Sequence, residues 1–169
     1  MKLIILNGPT GVGKSTLAKN LIEQIPHSVF IDVDELRRTV PGYPEKKEET
    51  QRLAYEKTAE LIENYLREDK NVIIDKTIHK AEVLEQFIAI AKKRSADVFE
   101  FLVFADKDTV QKRANERGYK PNGLLTPEKV GEHWEKMNEL RDQRTNLILL
   151  DTTNLTPREV LGVVLTKIN

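Results

Sequence analysis

The stretch of sequence that decides the fold is Leu3-Ile4-Ile5-Leu6-Asn7-Gly8-Pro9-Thr10-Gly11-Val12-Gly13-Lys14-Ser15-Thr16. Its first four residues form an apolar run of strand length, and Leu17, Leu21 and Ile25 then recur with the spacing of a helix stripe. The residues between strand and helix match the pattern Gly-x-x-x-x-Gly-Lys-Ser, which binds phosphate groups at a strand-to-helix turn. The sequence therefore predicts a site for a nucleoside triphosphate.

Each residue type in this loop suits a chain of phosphates. Glycines allow backbone N–H groups to turn towards the β-phosphate, and the start of the following helix adds a partial positive charge. Lys14 is predicted to be catalytic because its charge reaches the β- and γ-oxygens, and the Ser15 hydroxyl is predicted to bind Mg²⁺. The predicted nucleotide-binding residues are Gly8, Thr10, Gly11, Val12, Gly13, Lys14, Ser15 and Thr16.

Further apolar runs follow the loop at intervals along the chain. They are nearly continuous in hydrophobicity, which is typical of parallel strands covered on both faces, and amphipathic stretches separate them. The runs are Val29–Ile31, Val72–Ile74, Val98–Phe104 and Leu147–Leu150. The alternation predicts a three-layer α/β fold of the P-loop NTPase type, with about five parallel strands and helices on both faces. We expect one domain over residues 1–169.

The composition narrows the function classes. Lysine plus arginine and aspartate plus glutamate both number 27, so the zero net charge does not favour a nucleic acid or a membrane surface, although a local basic groove stays possible. The absence of cysteine excludes disulfides, thiolate metal sites and a cysteine nucleophile. The first apolar run is too short for a signal peptide or a membrane span, so we expect a cytoplasmic location.

A phosphate loop alone is shared by GTPase switches, ATP-driven motors and kinases. The chain has neither an Asn-Lys-x-Asp motif to read guanine nor an Asp-x-x-Gly turn. The third apolar run ends in Asp75-Lys76, whereas a motor ATPase normally has paired acids at such a position. These features favour a kinase, with a nucleotide-binding ATPase or switch that lacks a dedicated acceptor as the alternative.

Polar residues follow the second and third predicted strands, where ligands bind in a parallel sheet. Asp34 is predicted to accept the proton of an acceptor hydroxyl, although an aspartate here could instead cap the next helix. Arg37 is predicted to hold a phosphate or carboxylate of the acceptor. Asp75 could hold a Mg²⁺-bound water or the acceptor, together with Thr77. His79, in the same basic loop, is predicted to be a surface residue.

Two arginines lie four residues apart before a segment rich in turn-forming residues. Arg113 and Arg117 would share one helix face, and the segment after them is Gly118–Leu125. This arrangement predicts a lid, at about residues 113–127, that closes over ATP and brings both arginines to the transferring phosphoryl group as catalytic residues. The alternative is a solvated helix face in which Asp108 and Glu116 pair with the arginines.

These motifs together resemble a group of phosphate-loop kinases, over essentially the whole chain. Ile4–Gly8 with the acid of Val33-Asp34 looks like chloramphenicol phosphotransferase. Asp34-x-x-Arg37, the strand end at Asp75 and the segment Lys112–Gly118 look more like polynucleotide 5′-hydroxyl kinase. The same group includes zeta toxin and gluconate or shikimate kinase, and by this resemblance the chain is identified as an AAA-type, ATP-binding kinase-like protein.

The resemblance implies a role for each matched residue. Asp34 would be the general base, Arg37 a ligand of the acceptor and Arg117 the arginine that stabilises the transferring phosphoryl group. It also implies ATP and Mg²⁺, and transfer of the γ-phosphoryl group to a hydroxyl of a small molecule or of a nucleic-acid 5′ end. The zero net charge favours the small molecule.

Overall fold

The computed structural model describes residues 1–118 and 125–169. In these residues five parallel strands form a single sheet with the order β2-β3-β1-β4-β5. The strands are β1 (Lys2–Asn7), β2 (Ser28–Asp32), β3 (Asn71–Asp75), β4 (Asp97–Phe104) and β5 (Ile148–Asp151). The predicted parallel sheet of the P-loop NTPase fold is therefore confirmed, and each predicted strand is present within a few residues of its expected bounds.

Seven helices connect these strands in the described part of the chain. They are α1 (Lys14–Gln24), α2 (Val33–Arg38), α3 (Lys47–Arg67), α4 (Ala81–Lys93), α5 (Lys107–Arg117), α6 (Pro127–Gln143) and α7 (Pro157–Ile168). Of the segment predicted to form a lid, residues 113–118 and 125–127 are described, and residues 119–124 lie outside the described residues. No helix described here combines the length and the hydrophobicity that a membrane crossing requires.

Strand β1 separates two hydrophobic cores. Leu3 and Ile5 pack into the core on one face of the sheet, and Ile4 and Leu6 pack into the core on the other. Successive side chains of a strand point to opposite faces, so a strand buried on both sides needs an unbroken apolar run. The result is a three-layer arrangement with the sheet in the middle.

The position of β1 also places the loop that follows it. β1 pairs with β3 on one side, where Leu6 lies opposite Asp75, and with β4 on the other, where Asn7 lies opposite Leu102. The loop after β1 therefore emerges between the ends of two neighbouring strands. Ligands of open parallel sheets bind at this edge, where the strands end.

Candidate active site

A cavity of about 1150 Å³ lies along the carboxyl edge of the sheet. The phosphate loop contributes to its wall, as do the ends of β2 and β3. Helices α2, α3 and α6 and the last residue of α5 contribute further residues. Among the predicted site residues, those that line this cavity are Thr10, Gly11, Gly13, Lys14, Ser15, Thr16, Asp34, Arg37, Asp75, Thr77 and Arg117.

The phosphate loop begins at a glycine that packs against the backbone of β4. Gly8 has a φ of +147°, and a Cβ atom added to it would lie 2.0 Å from the carbonyl oxygen of Val103. Gly13, at the start of α1, also has a positive φ of +94°, but a Cβ atom there would meet nothing within 4 Å. Position 8 thus requires glycine because of close packing and because of its backbone angles. Position 13 requires glycine because of its backbone angles alone.

This difference predicts unequal losses of stability. Gly8→Ala is expected to lower the free energy of unfolding by about 3 kcal/mol or more, because it adds a steric clash to an unfavourable φ. Gly13→Ala carries only the backbone penalty and is expected to cost about 1–2 kcal/mol. Urea unfolding followed by circular dichroism measures both values. Equal losses in the two variants would show that the contact with Val103 does not constrain residue 8.

Asn7 ties the phosphate loop to the loop after β3. Its side-chain oxygen accepts hydrogen bonds from the backbone N–H groups of Gly8 (2.8 Å) and Ile78 (2.9 Å). Its side-chain amide donates to the carbonyl of Ile78 at 3.0 Å. The side chain is buried and all of these bonds are internal. No motif in the sequence predicts this role for Asn7.

Lys14 points back over the phosphate loop. Its Nζ donates to the carbonyl oxygens of Gly8 (2.9 Å) and Pro9 (3.0 Å) and to the Thr77 hydroxyl (3.4 Å). Thr77 in turn donates to the carbonyl of Gly8 at 2.8 Å. Burial lowers the pKa of the Lys14 ammonium, and the negative charge of Asp75 only partly opposes this effect. A poorly solvated cation of this kind gains from an anion bound beside it.

Ser15 and Asp75 meet at the base of the loop. The Ser15 hydroxyl donates to the Asp75 carboxylate at 2.5 Å. Burial is the largest influence on Asp75 and raises its pKa, while Lys14 and the bond from Ser15 act in the opposite direction. A hydroxyl and a carboxylate side by side supply the oxygen ligands that Mg²⁺ uses together with nucleotide phosphates. The residues present therefore fit this metal.

Asp34 lies in the first turn of α2 and its side chain is mostly exposed. The N-cap of this helix is Asp32, whose carboxylate accepts a hydrogen bond from the backbone N–H of Glu35 at 3.0 Å. The alternative interpretation of Asp34 as the cap is therefore wrong. Asp34 instead forms an ion pair with Nζ of Lys76, a residue of the loop after β3 that is 7% exposed. No motif in the sequence predicts this role for Lys76.

Arg37 also lines the large cavity, and the start of α3 positions it. Its Nε donates to the Thr50 hydroxyl at 3.2 Å, and its Nη2 donates to the carbonyl of Lys47 at 2.7 Å. The guanidinium carbon lies 5.6 Å from the centre of the Tyr43 ring, within the range of a cation–π interaction. Arg37 is therefore held in place at the cavity wall before any ligand enters.

Arg113 and Arg117 do not face the same space. Arg117, the last residue of α5, lines the large cavity. Arg113 lines a smaller cavity of about 240 Å³, and its guanidinium donates to the Thr152 hydroxyl (3.1 Å) and carbonyl (2.8 Å). The predicted catalytic position of Arg113 thus differs from the observed one, because the loop after β5 supplies the partners for its donors.

The smaller cavity lies on the other side of the phosphate loop. Gly11, Gly13 and Thr16 line both cavities. Val12 lines the smaller one and is buried, and its carbonyl accepts from the Thr152 hydroxyl at 3.4 Å. The other residues of the smaller cavity are Leu17, Arg113, Thr152, Leu155, Pro157 and Val160. Its wall is thus mainly apolar, with one guanidinium at the edge.

The charge at the large cavity differs from that of the whole chain. Counting only described residues, ten lysine or arginine side chains and five carboxylates line it. The net charge of the chain is nevertheless zero. Positive charge is therefore concentrated in the cavity, as the sequence left possible but could not locate.

Two histidines also line the large cavity. His79, expected on the surface, is instead half-buried, and its ring centre lies 5.5 Å from that of His133 on α6. A ring nitrogen of His133 lies 3.1 Å from the Thr10 hydroxyl in the phosphate loop. The expectation for His79 was wrong because α6, far along the sequence, covers this loop.

Comparison with known sequences places the chain in a family. Residues 3–139 match the model of a family described as an AAA domain. The chain is also 27% identical over 173 residues to a Pyrococcus furiosus protein named "Putative adenylate kinase". That alignment covers 99% of this chain and 84% of the relative.

Solved structures share the fold at lower identity. The tunicamycin resistance protein of Deinococcus radiodurans has a TM-score of 0.71 and 20% identity, covering 99% of this chain and 96% of that one. A gluconokinase of Sinorhizobium meliloti 1021 has a TM-score of 0.72 and 15% identity, covering 98% and 90%. Together with the family match, these likenesses confirm the predicted P-loop kinase group.

Proposed function

The chain belongs to the AAA domain family, and from its site we propose that it transfers the γ-phosphoryl group of ATP to a hydroxyl of an acceptor. The observation that carries this proposal is that one cavity contains both the phosphate loop with Lys14 and the carboxylate of Asp34. A phosphate loop alone would serve any nucleotide-binding protein. A carboxylate in the same cavity can act as the general base that takes the proton of a hydroxyl acceptor.

The donor half of the site would extend over both cavities. The phosphate chain would lie in the loop of residues 8–15, and the smaller cavity would take the nucleobase, because its wall is mainly apolar and Arg113 borders it. Ser15 and Asp75 would hold Mg²⁺, which neutralises negative charge on the phosphates. Arg117 lies beyond the loop at the end of α5, in the large cavity, and would approach the transferring group from the lid.

Asp34 would act on the acceptor. As the acceptor oxygen forms its bond to the γ-phosphorus, the bond from phosphorus to the β–γ bridging oxygen breaks and ADP leaves. The hydroxyl proton passes to the Asp34 carboxylate. Lys76 is nearly buried and holds this carboxylate at the cavity through their ion pair. The base is thus oriented by a cation that the loop after β3 supplies.

The cavity favours an acceptor that carries negative charge. Arg37 is held in position at the wall, and Lys47 and Lys80 line the same region. Positive side chains around a cavity raise the local concentration of anions. A phosphorylated or carboxylated small molecule fits this field, and so does the phosphate next to a nucleic-acid 5′ end.

A second candidate is phosphoryl transfer to a phosphate group. The excess of positive charge in the cavity suits a nucleoside monophosphate, and the Pyrococcus furiosus relative is named for adenylate kinase activity. A phosphate oxygen is already ionised near neutral pH, so its attack needs no base. The importance of Asp34 therefore separates the two candidates.

The test is ADP formation from Mg²⁺ and ATP with a panel of acceptors. The panel contains sugars, sugar acids, nucleosides, nucleoside monophosphates and oligonucleotides with a free 5′-hydroxyl. We expect a compound with both a hydroxyl and an anionic group to stimulate ADP formation and to yield a phosphate ester. Tight nucleotide binding without stimulation by any acceptor would favour the ATPase or switch, and stimulation by monophosphates alone would favour the second candidate.

A further inference from the structure

The three histidines of the chain divide into one isolated residue and one pair. His27 is exposed in the turn between α1 and β2. His79 follows β3, His133 lies on α6, and their rings are 5.5 Å apart at a tilt of 45°. The pair therefore connects the loop beside the phosphate site to the helix that follows the lid segment. None of the roles proposed above uses it.

The two rings differ in the partners of their nitrogens. A nitrogen of His133 lies 3.1 Å from the Thr10 hydroxyl, which belongs to the phosphate loop. Nδ1 of His79 is buried, and no residue that the structure describes forms a hydrogen bond with it. Burying a polar atom without a partner costs free energy, and both His79 and His133 line the large cavity beside the phosphate loop.

The surroundings of the pair are strongly positive. Burial is the main reason why the pKa of His79 falls to about 4, and His133 and the nearby lysines lower it further. Burial and the same lysines also lower the pKa of His133. The charged groups that face the two rings are Lys14, Lys76, Lys136 and Glu132. Both rings are therefore neutral near pH 7 when the cavity holds no anion.

We propose that His79 and His133 form a binding wall for the terminal phosphate of the nucleotide, and that the pair takes up a proton when the triphosphate enters. A triphosphate offsets the positive charge of the lysines, which adds to burial in keeping the rings neutral. A protonated ring that lines the cavity can then donate a hydrogen bond to a phosphate oxygen. This inference rests on the nucleotide site of the proposed function, but not on the identity of the acceptor.

Proton uptake has a definite consequence for affinity. A negative charge beside His79 raises the pKa of its imidazole from about 4 towards its ordinary value. Because the bound state then holds more protons than the free state, affinity must increase as the pH falls. Relative to a variant without the two imidazoles, we expect protonation of His79 to strengthen binding by up to about fourfold between pH 8 and pH 6.

Titration calorimetry with Mg²⁺ and the β,γ-imido analogue of ATP measures the uptake. The experiment is repeated in buffers that differ in ionisation enthalpy, so that the dependence of the heat on the buffer counts the protons exchanged. We expect His79→Gln with His133→Gln to remove most of the uptake, and the matched control His27→Gln to leave it unchanged. Ionisation of the analogue itself is common to all of these proteins and cancels in the comparison.

Nuclear magnetic resonance of the imidazole C–H signals tests the same point without a substitution in the cavity. With three histidines, each signal can be assigned from the glutamine variants. We expect the analogue to raise the pKa of at least one ring of the pair, and ADP to raise it less, while the His27 signal keeps its titration curve.

The outcomes separate this inference from the proposed function. Binding of the analogue without proton uptake, or uptake that persists in the double variant, overturns the role of the histidines and leaves the kinase proposal intact. Absence of any binding overturns both. Uptake of the same size with ADP and with the analogue also contradicts the inference, because it would locate the proton away from the terminal phosphate.

Discussion

Replacing Asp34 by asparagine is expected to lower the turnover number by about 10²- to 10⁴-fold, the range typical for loss of a general base. The affinity for ATP should remain nearly unchanged, because the phosphate loop does not depend on this side chain. Asparagine is the suitable replacement, since its carbonyl oxygen can still accept a hydrogen bond from Lys76. Steady-state kinetics with the stimulating acceptor, together with calorimetric binding of ATP, measures both effects.

The neighbouring acid provides the matched control. Glu35 is exposed on the same short helix, and its carboxylate pairs with Arg38. Glu35→Gln is expected to leave turnover within about twofold of the original, as surface pairs contribute little. If Asp34→Asn instead abolishes ATP binding, its role lies in the metal site or in folding. If turnover is unaffected, the acceptor is a group that needs no base.

Replacing Arg117 by alanine is expected to lower the turnover number by about 10²- to 10³-fold, with a smaller change in the KM for ATP. The physical reason is that a cation acting on the transferring phosphoryl group binds the transition state more strongly than the substrate. Initial rates over a grid of ATP and acceptor concentrations separate the two parameters. An unchanged rate would reduce Arg117 to a surface cation.

Arg113→Ala is the contrasting variant on the same helix. Its guanidinium is bonded to Thr152 at the smaller cavity, so the substitution is expected to raise the KM for ATP and to leave the turnover number nearly unchanged. The two arginines thus predict opposite kinetic effects. If both variants lower the turnover number equally, Arg113 has the catalytic role that the sequence predicted.

The features that could be predicted from sequence share a local origin. The central strands β1, β3 and β4 appear as continuous apolar runs because both of their faces are covered. The phosphate loop is a contiguous motif, and Asp75 follows directly from the end of a strand. Such features depend on residues within a few positions of one another, so spacing is sufficient to recognise them.

The features that could not be predicted depend on contacts between distant segments. Lys76 meets Asp34 across 42 positions, and His133 meets the phosphate loop across 123. No spacing rule relates such pairs, because tertiary packing alone brings them together. Asp32 at the end of β2 and Asp34 in the first turn of α2 show a finer limit. Either one could cap α2, and the residue at which the strand ends decided that Asp32 does so.

The net charge of zero describes the whole chain correctly, but it does not predict the excess of positive charge at the cavity. A sum over all residues cannot show that cations gather on one wall. The zero total favoured an acceptor without a polyanionic chain, whereas the concentration of lysine and arginine around Asp34 suits an anionic group on the acceptor. The distribution of charge in space, which only the fold supplies, is the quantity that bears on the substrate.

The hydrogen bonds of the Asn7 carboxamide determine which segments can be changed to alter the acceptor without affecting the phosphate loop. Because it binds both Gly8 and Ile78, a change in the backbone between β3 and Ile78 would also disturb the phosphate loop. From Lys80 onward, the backbone is not constrained by the hydrogen bonds of Asn7. New acceptor specificity can therefore be sought in α4 and α3, where substitutions leave the bonds of Asn7 to the phosphate loop in place.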